Sequence, residues 1–264
     1  MNAVVIISAL IVTAVFSLLV VNYVNRKQTR HRLITQKVAA IRRLIAELEE
    51  MSATVEPLLE STQIPRAINA EIVFQIERIM KLDDSNAYME PTLAAAKSLS
   101  EDLAVEKRSC KLDRALSSDA QVARCKFQLN EAARLIRRNQ LENRIDVLEA
   151  DTFIKELSWS VLMIDVITYV NQGHISLKEN DVLKAYNYYN HAQQALIAPA
   201  HPDARRHRYI REVSDLLTNR RKALSEDLMP ESKNNPENDA SDVMPPEAQE
   251  KPSENNEPSN SGGV

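Results

Sequence analysis

Apolar and polar positions divide the chain into one uninterrupted run followed by a long series of helical stripes. From Ala3 to Val24 the sequence AVVIISALIVTAVFSLLVVNYV holds no charge over 22 positions, and only Ser8, Thr13, Ser17 and Asn22 are polar. At about 1.5 Å per helical residue, about 20 such residues cross the roughly 30 Å hydrocarbon layer of a bilayer. Backbone amides in lipid must pair within their own segment, so the run is expected to form one transmembrane helix. A secretory signal would bring N-terminal positive charge, a shorter apolar core and a small-residue cleavage site. Met1-Asn2 brings no charge and no A-x-A follows, which favours a permanent anchor over residues 1–25. Arg26, Lys27, Arg30 and Arg32 follow the run and no basic residue precedes it. That asymmetry orients the N-terminus outward and the rest of the chain toward the cytoplasm, at a plasma or inner membrane. Tyr23 suits the headgroup boundary.

Beyond the flank, Ile34, Val38, Ile41, Ile45, Leu48 and Val55 follow a 4-3 alternation broken at Ser52. This a/d seam over residues 26–56 fits either a short dimeric coiled-coil stalk or an amphipathic helix packed on its own domain. In the span, Ala9, Thr13 and Ser17 form a small-xxx-small row that permits close helix approach. A homodimer is therefore one expectation. Pro57 and Pro65 end that helix and open another, with Ile68, Ile72, Ile76 and Ile79 as its apolar stripe. LDDSN at 82–86 is a turn cluster, and Pro91 starts a helix with Leu93, Ala96, Leu99 and Leu103 inward. Ser117-Ser118-Asp119 offers an N-cap for a helix carrying Val122, Cys125, Leu129, Ala132 and Ile136. Arg134, Arg137 and Arg138 read as its solvated face. The helical pattern continues through Leu141, Ile145, Leu148, Phe153, Leu157, Val161, Ile164 and Ile167. The patch 157–170 is interrupted by Ser158, Ser160, Asp165 and Thr168, so it reads as a core helix, with Trp159 packed inside and Asp165 capping or paired.

Composition sharpens this picture. The chain has three glycines, and only Gly173 lies outside the last three residues. A sheet-containing domain of this size needs more of them for turns and bulges, so the fold class is all-α. Gly-rich phosphate loops are excluded for the same reason. The segment 225–264 carries a net −8 against −4 for the whole chain, leaving +4 on residues 1–224. That balance gives no support to nucleic-acid binding. With six of the eleven prolines and few large apolar residues, 225–264 is expected to be a disordered acidic tail. Cys110 and Cys125 lie in helical patterns without C-x-x-C spacing and are expected to be free thiols. His191, His201 and His207 cluster in sequence but match no ligand spacing, so no metal is expected. No catalytic residue or cofactor is indicated.

The stretch TYVNQGHISLKENDVLKAYNYYNHAQQALIAP carries the most specific pattern. Gly173 is followed by Ala185 twelve residues on, then Tyr189 and Ala192, with Tyr169 four residues before it and KEND (178–181) as a turn. Over about 34 residues, 166–199, this resembles a tetratricopeptide repeat, departing from it at Gln172, Ser176 and Pro199. The resemblance implies a helical hairpin closed at Gly173 and a role in binding proteins. A last helix opens at Asp203, with Tyr209, Ile210, Val213, Leu216 and Leu217 inward, and ends near Leu224. One helical domain over 57–224 is thus expected. The reading is a membrane-tethered scaffold or adaptor, or alternatively a self-associating subunit of a membrane complex; nothing indicates an enzyme.

Overall fold

A computed structural model describes residues 2–82, 89–105, 112–198, 201–231 and 235–236, with side chains from residue 16 onward. The described residues contain seven α-helices and no strand, which agrees with the all-α reading. Two compact units divide at Thr168–Tyr169, inside a helix, where one domain over 57–224 was expected.

The first unit starts with α1 (Asn2–Val55), a single helix of 54 residues without proline or glycine. The segments expected as anchor and juxtamembrane helix therefore lie in one element, with no break at residue 25. From Val38 onward its seam turns inward: Val38, Ile41, Ile45, Leu48, Met51 and Val55 are all buried. They pack on α2 (Gln63–Leu82) and α4 (Asp119–Leu141). The seam is thus occupied within its own chain, and the dimeric-stalk alternative gives way to the amphipathic helix. The same residues cannot bury one face twice. Nearer the N-terminus the helix is exposed, including Phe16, Leu18, Leu19, Val20, Val21, Tyr23 and Val24. Arg26, Lys27, Arg30 and Arg32 are exposed too. Among the described residues no helix is long and apolar enough to cross a membrane. The side chains of Ala3–Val15, more than half of the expected span, lie outside the described ones, as do Ala9 and Thr13.

After α1, Pro57 sits in a short 3-10 turn (Glu56–Leu58) and Pro65 in the first turn of α2, where a missing N–H costs no helical bond. The stripe Ile64, Ile68, Ile72, Ile76 and Ile79 is fully buried. Helix α3 (Glu90–Leu103) has Pro91 in its first turn and is tied to α2 by Asn69, whose amide donates to the Ala96 carbonyl and the Ser100 hydroxyl, both at 2.7 Å. Leu99, expected inward, is 38% exposed. The turn expected at 82–86 lies outside the described residues from 83, as does Cys110. Ser118 caps α4 by accepting from Gln121 N–H. Cys125 is a free thiol whose pKa burial pushes up.

The expected continuous helix through 141–170 is broken. Helix α4 stops at Leu141 and α5 (Val147–Lys178) starts six residues on, leaving Leu141 83% and Leu148 78% exposed. The cause is Asn143, at φ 56°, a left-handed residue that ends a helix by turning the chain. Arg144 N–H then bonds the Asn139 carbonyl at 2.8 Å and Asn143 N–H the Gln140 carbonyl at 3.0 Å, closing a Schellman turn. That turn brings the Arg144 guanidinium onto Glu71, a carboxylate with no exposed side-chain area. Arg138 lies 3.4 Å from the same carboxylate and Gln75 donates to it at 2.7 Å. Arg138 thus has a buried partner, whereas a wholly solvated face was expected. Trp159 is buried, and Asp165 pairs with Lys126 at 2.5 Å, which resolves its expected role as pairing.

In the second unit, α6 (Val182–Ile197) packs on α7 (Arg205–Leu217). Asp203 accepts from Arg205 N–H at 2.9 Å, so it opens α7 as expected, but the helix ends at Leu217, not near Leu224. The tail boundary at 225 also needs correcting. Leu224, Leu228 and Met229 are buried, the Tyr209 hydroxyl donates to the Leu228 carbonyl at 2.5 Å, and Asn235 bonds both Leu224 backbone groups. Ordered packing continues because Leu228 and Met229 are themselves buried and the buried Tyr209 phenol needs the Leu228 carbonyl as acceptor. Residues 237–264 lie outside the described ones.

Truncation after Leu224 should therefore destabilise a fragment beginning at Leu33. Losing two buried apolar side chains costs about 1.5–3 kcal/mol each, and about 1 kcal/mol moves the melting temperature by roughly 2–4 °C at this size. Thermal unfolding should show a fall of about 6 °C or more for the 224 truncation and no change for truncation after Pro236. Equal melting temperatures for both would refute the packing role of 225–236.

Candidate functional site

The second unit sets Gly173 against Tyr189 and buries Ala185 and Ala192 of the expected hairpin ladder, while Tyr169 stands apart from that contact. Helix α5 ends at Lys178 and Asn180, at φ 63°, reverses the chain. Asp181 N–H bonds the Ser176 carbonyl at 2.9 Å, and the Asp181 carboxylate then accepts from Lys184 N–H to start α6. The KEND turn is thus a helix stop and a helix start on adjacent residues. Across the hairpin, Ala185, Tyr189 and Ala192 are buried. Gly173 faces the Tyr189 ring directly: a Cβ built there would lie 2.3 Å from Cε1, 2.7 Å from Cδ1 and 2.8 Å from Cζ. Real carbon contacts do not approach so closely. Tyr169 sits outside that contact, its ring tilted at 34° beside His191 with 5.6 Å between centroids.

The ring is also pinned at its far end, where the Tyr189 hydroxyl lies 2.8 Å from His174 Nδ1 and the two rings meet nearly edge to face. Burial pushes the Tyr189 pKa up and drives His174 down to about 4. Nearby Asn235 opposes the histidine shift and Lys178 adds to it. At neutral pH both groups are uncharged.

This pair forms the floor of a pocket of about 300 Å³. Leu177, Leu216 and Pro236 give it apolar walls, and Lys178, Arg221 and Lys222 give it cationic edges. Arg221 is held there by Glu212 at 3.3 Å and by the Ser225 hydroxyl at 2.9 Å. Glu212, itself buried, also takes Arg208 Nε and Ser225 N–H, each at 2.9 Å. With Arg221 paired to Glu212, Lys178 and Lys222 leave the edge of this neutral polar floor net positive, which suits an acidic group carried on an apolar segment.

Sequence reasoning singled out His191, His201 and His207 and passed over His174. The signal was present, because His174 falls seven residues after Ile167 and four after Val170, on the apolar face. His201 Nδ1 instead accepts from Asp203 N–H. Among the described residues no group of three or more His, Cys, Asp or Glu side chains could hold a metal. No protein family, curated protein or solved structure matches the chain.

Gly173→Ala should destabilise the protein. Alanine's helix propensity is better by about 1 kcal/mol, but overpacking against a pinned ring costs about 1–3 kcal/mol. Urea unfolding should therefore show a net loss, which shrinks when Tyr189→Ala makes room. A stabilised Gly173→Ala protein would contradict the contact.

His174 also predicts a pH dependence. Its folded pKa of about 4 lies below the ordinary 6.5, so between these values the unfolded chain binds the extra proton. Its stabilisation is complete above about pH 6.5 and is lost as pH falls toward 4, by about 3 kcal/mol at most. His174→Gln should flatten that part of the stability-against-pH curve. Unchanged slopes would show that His174 is not buried neutral.

Proposed function

We propose that this protein is a single-pass membrane adaptor that displays a helical domain and binds an acidic partner segment in the pocket of its second unit. The observation that carries this reading is the exposed apolar band on α1, Phe16 to Val24, followed directly by four exposed basic side chains. A contiguous apolar patch of this kind on a monomer marks contact with a membrane or another protein. Only about 13 Å of helix lies in that band at 1.5 Å per residue, and the uncharged sequence of Ala3–Val15 extends it to a bilayer's thickness. The basic flank then meets anionic headgroups on the cytoplasmic side.

The hairpin closed at Gly173 supports the tetratricopeptide-like reading, since a small residue under an aromatic one is what that resemblance implies. Its function would be recognition, through Lys178, Arg221 and Lys222. Self-association through the α1 seam loses its basis because that seam is buried within the chain, and a homodimer would have to rest on the Ala9, Thr13, Ser17 row.

Two measurements test this. A cytoplasm-active fluorescent reporter fused after Pro236 should be active, and a periplasm-active phosphatase at the same place should not; the opposite result would sink the topology. A photocrosslinker in place of Lys222, in intact membranes, should capture a partner, and Lys178→Glu should abolish the crosslink without lowering the melting temperature. Crosslinking indifferent to Lys178→Glu would remove the pocket from the reading.

A further inference from the structure

A cleft of about 470 Å³ opens beside the buried Glu71 in the first unit, and its charges cancel, Arg66 and Arg144 against Glu71 and Glu149. A different groove, of about 350 Å³, lies between α1 and α2 and has no such balance. Lys37, Ala40 and Leu44 stand on its α1 wall, and Gln75, Arg78 and Leu82 on its α2 wall. Two cations thus flank an apolar surface, and no carboxylate lines the groove. Neither Lys37 nor Arg78 makes an ion pair among the described residues.

The spacing of the walls says what shape fits. Lys37, Ala40 and Leu44 follow one another at intervals of three and four, and so do Gln75, Arg78 and Leu82. Each set therefore lies along one face of its helix. Leu33, one turn before Lys37 on that face, is 53% exposed. From Leu33 to Leu44 the face runs about 16 Å, three helical turns. Two neighbouring helices with side chains at these intervals offer holes for the side chains of a third helix. Helix α3 packs on α2 and α4 on both α1 and α2, but neither lines this groove. Charge then selects the helix. Residues 26–46 of α1 hold seven Lys and Arg and no Asp or Glu. The α1 of a second copy would set those cations against Lys37 and Arg78, and its apolar seam is already buried in its own core. An acidic helix gains at both walls.

We propose that this groove docks an acidic amphipathic helix of a partner protein, its apolar side chains seated on Leu33, Ala40, Leu44 and Leu82 and its carboxylates paired with Lys37 and Arg78. The site is independent of the membrane reading and of the pocket in the second unit.

The test uses the full chain in micelles of a zwitterionic detergent and three dye-labelled peptides of three heptads each, read by fluorescence anisotropy. One peptide carries Leu at a and d with Glu at e and g. The second has Lys in place of Glu, and the third has the residues of the first in scrambled order. The Leu/Glu peptide should bind with saturation and the other two about tenfold more weakly. Reversing both walls, Lys37→Glu with Arg78→Glu, should move the preference to the Lys peptide, a gain that loss of folding cannot imitate. Ala40→Trp, at an exposed position, should abolish binding by filling the groove, which also separates docking from partition into the micelle. Lys178→Glu, in the second unit, should leave binding unchanged. A scrambled peptide that binds equally well would reduce the contact to attraction by the basic flank of α1 and overturn the proposal. So would a preference that the charge reversal does not move, or binding that survives Ala40→Trp. A chain that sediments as a dimer, and as a monomer once Ala40→Trp is made, would overturn it too, because the groove would then hold a second copy.

Discussion

A helical chain with one glycine in its body must reverse direction on some other residue, and here asparagine does that work. Asn143, Asn180 and Asn219 each adopt a left-handed conformation, at φ 56°, 63° and 53°. The left-handed region costs an ordinary L-residue about 1–2 kcal/mol, and asparagine tolerates it because its short amide can bond locally. Each closes the same pair of backbone bonds at the end of α4, α5 or α7. The chain therefore leaves each turn in a fixed direction. Arg144, next after Asn143, reaches Glu71; Asp181, next after Asn180, caps α6. Gly173, the residue best suited to a turn, is instead inside a helix, where its missing side chain leaves room for Tyr189.

Two buried carboxylates repeat one device. Glu71 on α2 holds Arg138 and Arg144, and Glu212 on α7 holds Arg208, Arg221 and Ser225. A carboxylate taken out of water is expensive, and only several partners with good geometry offset that cost. In both units partners come from the segment after a helix, so each carboxylate fastens a turn or loop to the core. Each also stands beside a pocket: Glu71 lines the first cleft, and Glu212 holds Arg221 at the edge of the other. The pockets are therefore walled by side chains that have little freedom to move.

Much of the fold was legible because helices write their burial at a spacing of three and four. The isoleucine stripe of α2, the Ser118 cap, the prolines in first turns and the Gly173, Ala185, Tyr189, Ala192 ladder were all readable this way. The break at Asn143 was not, since Leu141, Ile145 and Leu148 kept a helical spacing across it and masked the left-handed asparagine that ends the helix. The packed stretch 225–236 was hidden by its composition. Acidic and proline-rich surroundings outweigh two apolar residues in any average, yet Leu228 and Met229 are individually buried. The carboxylate hubs were illegible for a similar reason. A glutamate on a helix reads as surface until its long-range partners are known, and Glu71 meets Arg144 across 73 positions.

Helix α1 joins these matters to the proposed anchoring. It runs from the exposed apolar band to the buried seam without a proline, a glycine or a break. Between Val24, the last residue of the band, and Val38, the first of the core, the helix rises about 21 Å. The basic flank Arg26, Lys27, Arg30 and Arg32 is distributed around that interval and exposed, and only Ile34 within it packs partly against the core. A flexible linker would let the first unit lie against a bilayer in any attitude. A continuous helix whose far end is locked by Val38, Ile41, Ile45 and Leu48 does not. Under the proposed reading, the first unit would stand off the membrane by the length of that helical interval. Its orientation would follow from where the seam faces α2 and α4, so core packing and presentation to a partner would be set by the same residues.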